Sequence, residues 1–263
     1  MTDGSRVAWW YASLRAIAVL NIVLWSLTAF AVTRGPVPTL QLLLSAVYVA
    51  GCAYRSFLPV VDIPRLVLVD SRLSSVLVGR SVATVAELCF AAQWALLLHR
   101  IASLSSSSFG EAVALALVPL IVLAEGCSWY AVLTTRQRPH AAENSLWGLS
   151  AALLVAALLV IGPPRLAALH VPMIAWCLGG GAYVAFIFAY DVPMYWARWR
   201  ADEAQARNYL SIAAGWVDVR RWTVSRRWED WKNEVPWMSL YFTFGVWSSI
   251  WLAYASRGIP GVT

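Results

Sequence analysis

Residues 81–102, SVATVAELCFAAQWALLLHRIA, and residues 112–133, AVALALVPLIVLAEGCSWYAVL, are each long enough to cross a bilayer as a helix, and each carries one glutamate in its interior. About 20 apolar residues, rising ~1.5 Å each, cover the roughly 30 Å of hydrocarbon. Glu87 and Glu125 therefore stand where a charged group would leave water altogether. A carboxylate at the centre of a spanning helix costs roughly 2.5–3.5 kcal/mol on insertion scales, so it persists with a partner, a proton, a bound cation or a wet cavity.

Outward from these two, apolar stretches of similar length recur at 7–32, 39–58, 145–161, 171–190 and 237–255. The chain is 60% hydrophobic and 13% charged, about half the charged share of a soluble domain, which excludes an ordinary soluble globule. In lipid every backbone group must be satisfied within its own segment, so the expected fold is all-α. Seven transmembrane helices joined by short links leave no room for a separate soluble domain. Residues 1–263 are read as one polytopic bundle, with 196–236 as an interfacial segment.

Basic residues orient this bundle. With seven spans, the N-terminus and loops two, four and six share one side. That side holds Arg6, Arg55, Arg65, Arg72, Arg80, Arg136, Arg138 and the eight basic residues from Arg198 to Lys232, 15 in all. The other side has Arg34, Arg100, Arg165 and Arg257, while Arg15 lies within the first span. The excess predicts a cytoplasmic N-terminus and an external C-terminus, in an inner or plasma membrane of bacterial type. The pI near 9.4 then reflects anchoring, and no nucleic-acid partner is expected. Ala29, Phe30 and Ala31 resemble a signal-peptidase site, but the preceding apolar run is long for a signal, so the first span is read as an uncleaved anchor.

Several local features have bland readings. Cys52, Cys89, Cys127 and Cys177 fall within spans, form no CxxC pair and read as small buried hydrophobes. Gly179, Gly180 and Gly181 lie mid-span, where small residues let helices approach closely. Pro119 should bend the fourth span and free the carbonyl of Leu115. His99 and His170 fall near the external rim and read as interfacial rings.

The two glutamates have a describable setting. Glu87 lies seven residues beyond Arg80, about 10 Å along a helix, and Glu125 lies eleven before Arg136, about 16 Å, so similar depth lets them face each other across antiparallel helices. Arg80 and Glu87, two turns apart, share a helix face, which supplies a cationic partner. His140 and Glu143, three apart, share another if the fifth helix begins ahead of Pro139. Asp191 closes the sixth span. Glu87, Glu125 and Arg80 are the candidate catalytic residues, and Trp94, Trp129, Tyr130 and Tyr195 the candidate substrate-binding aromatics. Glu87, Glu125, His140, Glu143 and Asp191 form a candidate ligand set for a divalent metal, the one cofactor considered.

The sixth loop is rich in tryptophan and arginine. Tyr209, Ile212, Trp216, Val219 and Trp222 recur at three- and four-residue steps, which predicts an amphipathic helix in the inner-leaflet boundary. Trp228 and Trp231 continue the theme in a second short piece. Trp216, Trp222, Trp228 and Trp231 are thus expected at the membrane interface, with arginine toward anionic headgroups.

Polarity is one-sided. The external half offers only scattered Asn21, Gln41, Gln93, Ser248 and Ser249, so no polar path crosses the bundle, and a pocket opening to one side is favoured over a pore. The leading expectation is a membrane-embedded enzyme acting on a lipid or amphiphile by carboxylate acid/base or metal-assisted chemistry. A proton- or cation-coupled transporter using Glu87 and Glu125 is the alternative. A non-catalytic receptor or assembly factor is a third. The span count and inverted orientation are similar to those of heliorhodopsins. The only lysine, Lys232, lies in the sixth loop, so no covalent retinal is expected and the resemblance ends there.

Overall fold

The computed structural model describes residues 3–32, 35–162 and 170–256. It is helical apart from a small three-stranded sheet. Among the described residues six helices are long and apolar enough to span a membrane: α1 (Asp3–Ala31), α2 (Pro36–Phe57), α3 (Val76–Leu104), α4 (Ser108–Thr134), α5 (Arg138–Ile161) and a long sixth run, Pro172–Ala204. The sixth run comprises α6 (His170–Phe186), a π-helical turn at Ile187–Asp191 and α7 (Val192–Ala204). It therefore continues well past 190. Residues 196–204, expected to open the sixth loop, belong to this helix instead, and Pro193 directly follows the π turn within the continuous run.

The expected seventh stretch is also helical, as α10 (Val235–Leu240), a π turn at Tyr241–Gly245 and α11 (Val246–Ala255). Rich in Trp, Tyr and Ser, it is not among the six that qualify by length and hydropathy. The remaining elements are β1 (Val60–Val61), β2 (Leu66–Val67), α8 (Ile212–Asp218), β3 (Thr223–Val224) and α9 (Trp228–Trp231). Arg34, Arg165 and Arg257, part of the external charge count, lie outside the described residues, as does the side chain of His170.

The chain divides into two compact units, Met1–Gln93 with Trp216–Thr263, and Trp94–Gly215. In the first unit, Trp10, Leu14, Tyr48, Trp231, Met238 and Phe242 form one apolar core. Gly51 allows α2 to lie close on α3, since a Cβ there would stand 2.7 Å from the Cβ of Ala86. Polar side chains stitch the helices together. Asn21 donates to the Phe242 carbonyl at 2.8 Å and accepts from Trp247 Nε1 at 3.0 Å. Gln41 Nε2 donates to the Gln93 carbonyl at 2.9 Å, and Gln93 Nε2 returns a bond to the Gln41 carbonyl at 3.1 Å. The Ser249 hydroxyl lies 2.5 Å from Gln93 Oε1 and 3.0 Å from Ser45 Oγ. Gln41, Gln93 and Ser249, scattered in sequence, are thus one buried network.

The same unit holds the sheet. β1 pairs antiparallel with β2, and β2 parallel with β3. This corrects the expected interfacial helix: α8 ends at Asp218, and the chain then turns into β3, where Thr223 N–H donates to the Arg65 carbonyl at 2.9 Å and Ser225 N–H to the Val67 carbonyl at 3.0 Å. Arg65 Nε holds Asp218 Oδ2 at 3.0 Å. Trp231 is also corrected, since it is fully buried against Trp10, with ring centroids 5.5 Å apart, and its indole N–H donates to the Ser225 carbonyl at 3.0 Å. It is a core residue, because the pairing of β3 draws α9 onto the core. Trp222 donates to Asp70 at 2.9 Å, Trp228 packs half-buried on the core, and Trp216 is 44% exposed.

The second unit packs α4 on α5 and α5 on α6 and α7, around Leu98, Leu117, Leu158 and Met173. α4 opens on Ser107, whose Oγ accepts from Gly110 N–H at 3.2 Å, a side-chain cap. It runs through Pro119 without a break. A Cβ on Gly180 would stand 2.6 Å from Val155 Cγ2, while Gly179 and Gly181 face open space, so the central glycine serves close packing on α5.

Candidate functional site

Glu87 and Glu125 fall in different units. On α3, Arg80 Nη2 donates to Glu87 Oε2 at 2.8 Å, with both side chains buried. The spacing of seven residues places them on one face, as the sequence predicts. The other carboxylate oxygen, Oε1, accepts from the Tyr241 hydroxyl at 3.2 Å. Tyr241 reaches it from the first position of a π turn, where one extra residue in the helix re-aims the side chains that follow. Tyr48 stacks on Phe90 at 4.5 Å and meets Tyr241 edge-on at 5.8 Å. A narrow crevice with room for about one water molecule opens beside this set, lined by Cys52, Arg55, Glu87, Trp237 and Tyr241 among others.

In the second unit, a carboxylate oxygen of Glu125 and one of Glu143 lie within 4.8 Å of each other, and both residues are buried. Glu125 comes from α4 and Glu143 from the first turns of α5. α5 begins at Arg138, with Pro139 in its first turn, so His140 and Glu143 share a face and His140 Nδ1 lies 2.7 Å from Glu143 Oε2. The His140 ring lies against Tyr195 from α7, centroids 5.2 Å apart. Ser128, one turn beyond Glu125 on the buried face of α4, is fully buried, and its hydroxyl has no hydrogen-bond partner. Asp191 is buried at the end of the π turn, outside the 4.8 Å carboxylate group.

Of the proposed aromatics, Tyr195 joins this cluster, and Trp129 is half-buried on α4. Trp94 meets Trp176 edge-on at 5.2 Å. Tyr130 is 43% exposed, off the face that carries Glu125 and Ser128. His99 is exposed. Tyr241, Tyr48, Arg55 and Ser128 were not legible as site residues in the sequence. The two π turns that bring Tyr241 and Asp191 inward leave no periodicity signal.

Paired acids at this separation are an arrangement that suits acid/base chemistry or the binding of a cation. The fold and the buried acids thus define the class: a helical protein whose helices suit a membrane, with three buried glutamates, Glu87, Glu125 and Glu143. No protein-family model matches the chain, and neither a curated protein nor a solved structure shows significant similarity to it.

Proposed function

We propose that this chain is an integral membrane enzyme acting on a lipid or other amphiphile, with Glu125 and Glu143 as its reactive centre. The observation that carries the reading is the approach of two buried carboxylates to within 4.8 Å, on helices of membrane-spanning length. In the acid/base form, the carboxyl that keeps the shared proton donates it and its neighbour accepts one. In the metal form, both offer hard oxygen donors to a divalent cation, and His140 orients Glu143 through its Nδ1 contact. Tyr195, Trp129 and Trp94 are the aromatic walls proposed for the apolar part of the substrate. Glu87, whose charge Arg80 already balances, is a proton-handling group linked to the Tyr241 hydroxyl.

Seven spans, an N-terminus in the cytoplasm and entry from the inner leaflet of a bacterial-type membrane complete the proposal. The number of spans rests on the seven apolar stretches, and the orientation on the charge count. A second reading, a proton-coupled transporter, is favoured by one observation: a buried Arg80–Glu87 ion pair on a spanning helix is the arrangement expected of a coupling charge.

The test compares wild type with Glu125→Gln and Glu143→Gln. Metal is measured by elemental analysis, and cellular and co-purified lipids by mass spectrometry. The enzyme reading expects a lipid species that wild type converts and that either variant converts roughly 10²–10⁴-fold more slowly. An unchanged lipid profile in both variants, with proton-linked uptake into vesicles that is lost in Glu87→Gln, overturns it in favour of transport.

A further inference from the structure

Among the described residues three arginines are buried: Arg55, Arg65 and Arg80. Two of them hold a carboxylate, Arg65 that of Asp218 at 3.0 Å and Arg80 that of Glu87 at 2.8 Å. Arg55 holds none. It is 5% exposed, and Nη2 donates to the Val60 carbonyl at 3.3 Å, the long end of the hydrogen-bond range. Its buried Nε–H has no hydrogen-bond partner. The guanidinium carbon lies 5.9 Å from the Trp237 ring, a distant cation–π contact.

A buried guanidinium whose Nε–H has no hydrogen-bond partner is costly, and an anion is the group that relieves it. Arg55 lines the crevice beside Glu87. Arg55 is the one cationic side chain among the residues that line it, and it stands two residues before the end of α2.

We propose that this crevice is an oxyanion site, in which Arg55 binds the phosphate or carboxylate head of an anionic amphiphile. With room for about one water molecule, the crevice takes a single headgroup oxygen and leaves the rest of the head outside. The Nε–H is the free half of a guanidinium fork, a geometry that suits such an oxygen better than an ammonium would. The charge count that orients the bundle sets this end of α2 at the inner-leaflet headgroups, where such oxygens are concentrated. The inference deepens the proposed function and rests on it for the view that the amphiphile is a substrate. The anion site itself depends only on Arg55 and its surroundings.

The experiment uses the full chain in a neutral detergent and reads the thermal midpoint by intrinsic tryptophan fluorescence. The probes are phosphatidylglycerol, oleate, phosphatidylcholine and inorganic phosphate. Wild type is expected to gain stability with phosphatidylglycerol or oleate and not with phosphatidylcholine. Arg55→Gln should lose the response, and Arg55→Lys should need roughly 10-fold more lipid, the effect of one lost charge-assisted hydrogen bond. Arg72→Gln, at an exposed arginine, should respond as wild type. A response to inorganic phosphate equal to that of the lipids assigns the site to a free oxyanion and overturns the amphiphile. No response in wild type, or an equal response in Arg55→Gln, overturns the site. Should Arg55→Gln fail to fold, the Arg55→Lys titration decides alone, an unchanged midpoint concentration overturning the proposal. None of these readings depends on Glu125 or Glu143, so a failure of the enzyme reading is seen separately.

Discussion

Arg80 and Glu87 stand two helical turns apart on α3 with Nη2 and Oε2 at 2.8 Å, so the most anomalous charge of the first unit is neutralised by its own helix. Both side chains are buried, and replacing either one removes this buried ion pair. Arg80→Met is therefore expected to destabilise the protein by about 3–5 kcal/mol. The double variant Arg80→Met with Glu87→Gln should recover most of that loss. Equilibrium unfolding of the four proteins of the cycle in one detergent checks the coupling, and additive effects would refute it.

His140 touches Glu143 through Nδ1 at 2.7 Å. In the metal form of the proposed centre it acts on a ligand, while Glu143 is the ligand. His140→Ala should weaken binding of a divalent ion by about 10–100-fold, and Glu143→Gln should abolish it. Calorimetric titration of purified protein with Mn²⁺ or Zn²⁺ measures both. Equal, complete loss in each variant would make His140 a direct ligand.

Gln93 joins α2, α3 and α11 through bonds to Gln41 and Ser249. Gln93→Leu keeps the apolar volume but strands its partners, a cost of about 1–2 kcal/mol for interhelical hydrogen bonds in a membrane. At about 2–4 °C per kcal/mol for a chain of this size, the midpoint should fall by several degrees. A variant as stable as wild type would show that Gln93 contributes little to holding these helices.

Tryptophans of the same segment should differ sharply. Trp231 is fully buried and Trp216 is 44% exposed. Trp231→Ala is expected to cost about 3–5 kcal/mol, and Trp216→Ala to stay within about 0.5 kcal/mol in detergent. Thermal unfolding separates a packed core from an interfacial anchor. Comparable small losses at both positions would restore the anchor reading for Trp231.

What could be read from the chain alone was whatever lies within one helix. The long apolar runs, the Arg80–Glu87 pair and the His140–Glu143 pair all follow from length and from the 3.6-residue period, which ties sequence spacing to shared faces. Relations between helices are different in kind. A span that is apolar all round carries almost no amphipathic signal to say which face meets which neighbour. So the approach of Glu125 to Glu143, the reach of Tyr241 to Glu87 and the gathering of Gln41, Gln93 and Ser249 were decided by packing alone. The π turns at Ile187–Asp191 and Tyr241–Gly245 shift the register locally, which no periodicity in the sequence announces. The burial of Trp231 and the absence of a long interfacial helix follow from β3 pairing with β2, a contact between segments more than 150 residues apart in the chain. Helical spacing determined each acid's local partner, and only the tertiary structure decided which acids and arginines meet across helices and which arginine was left without one.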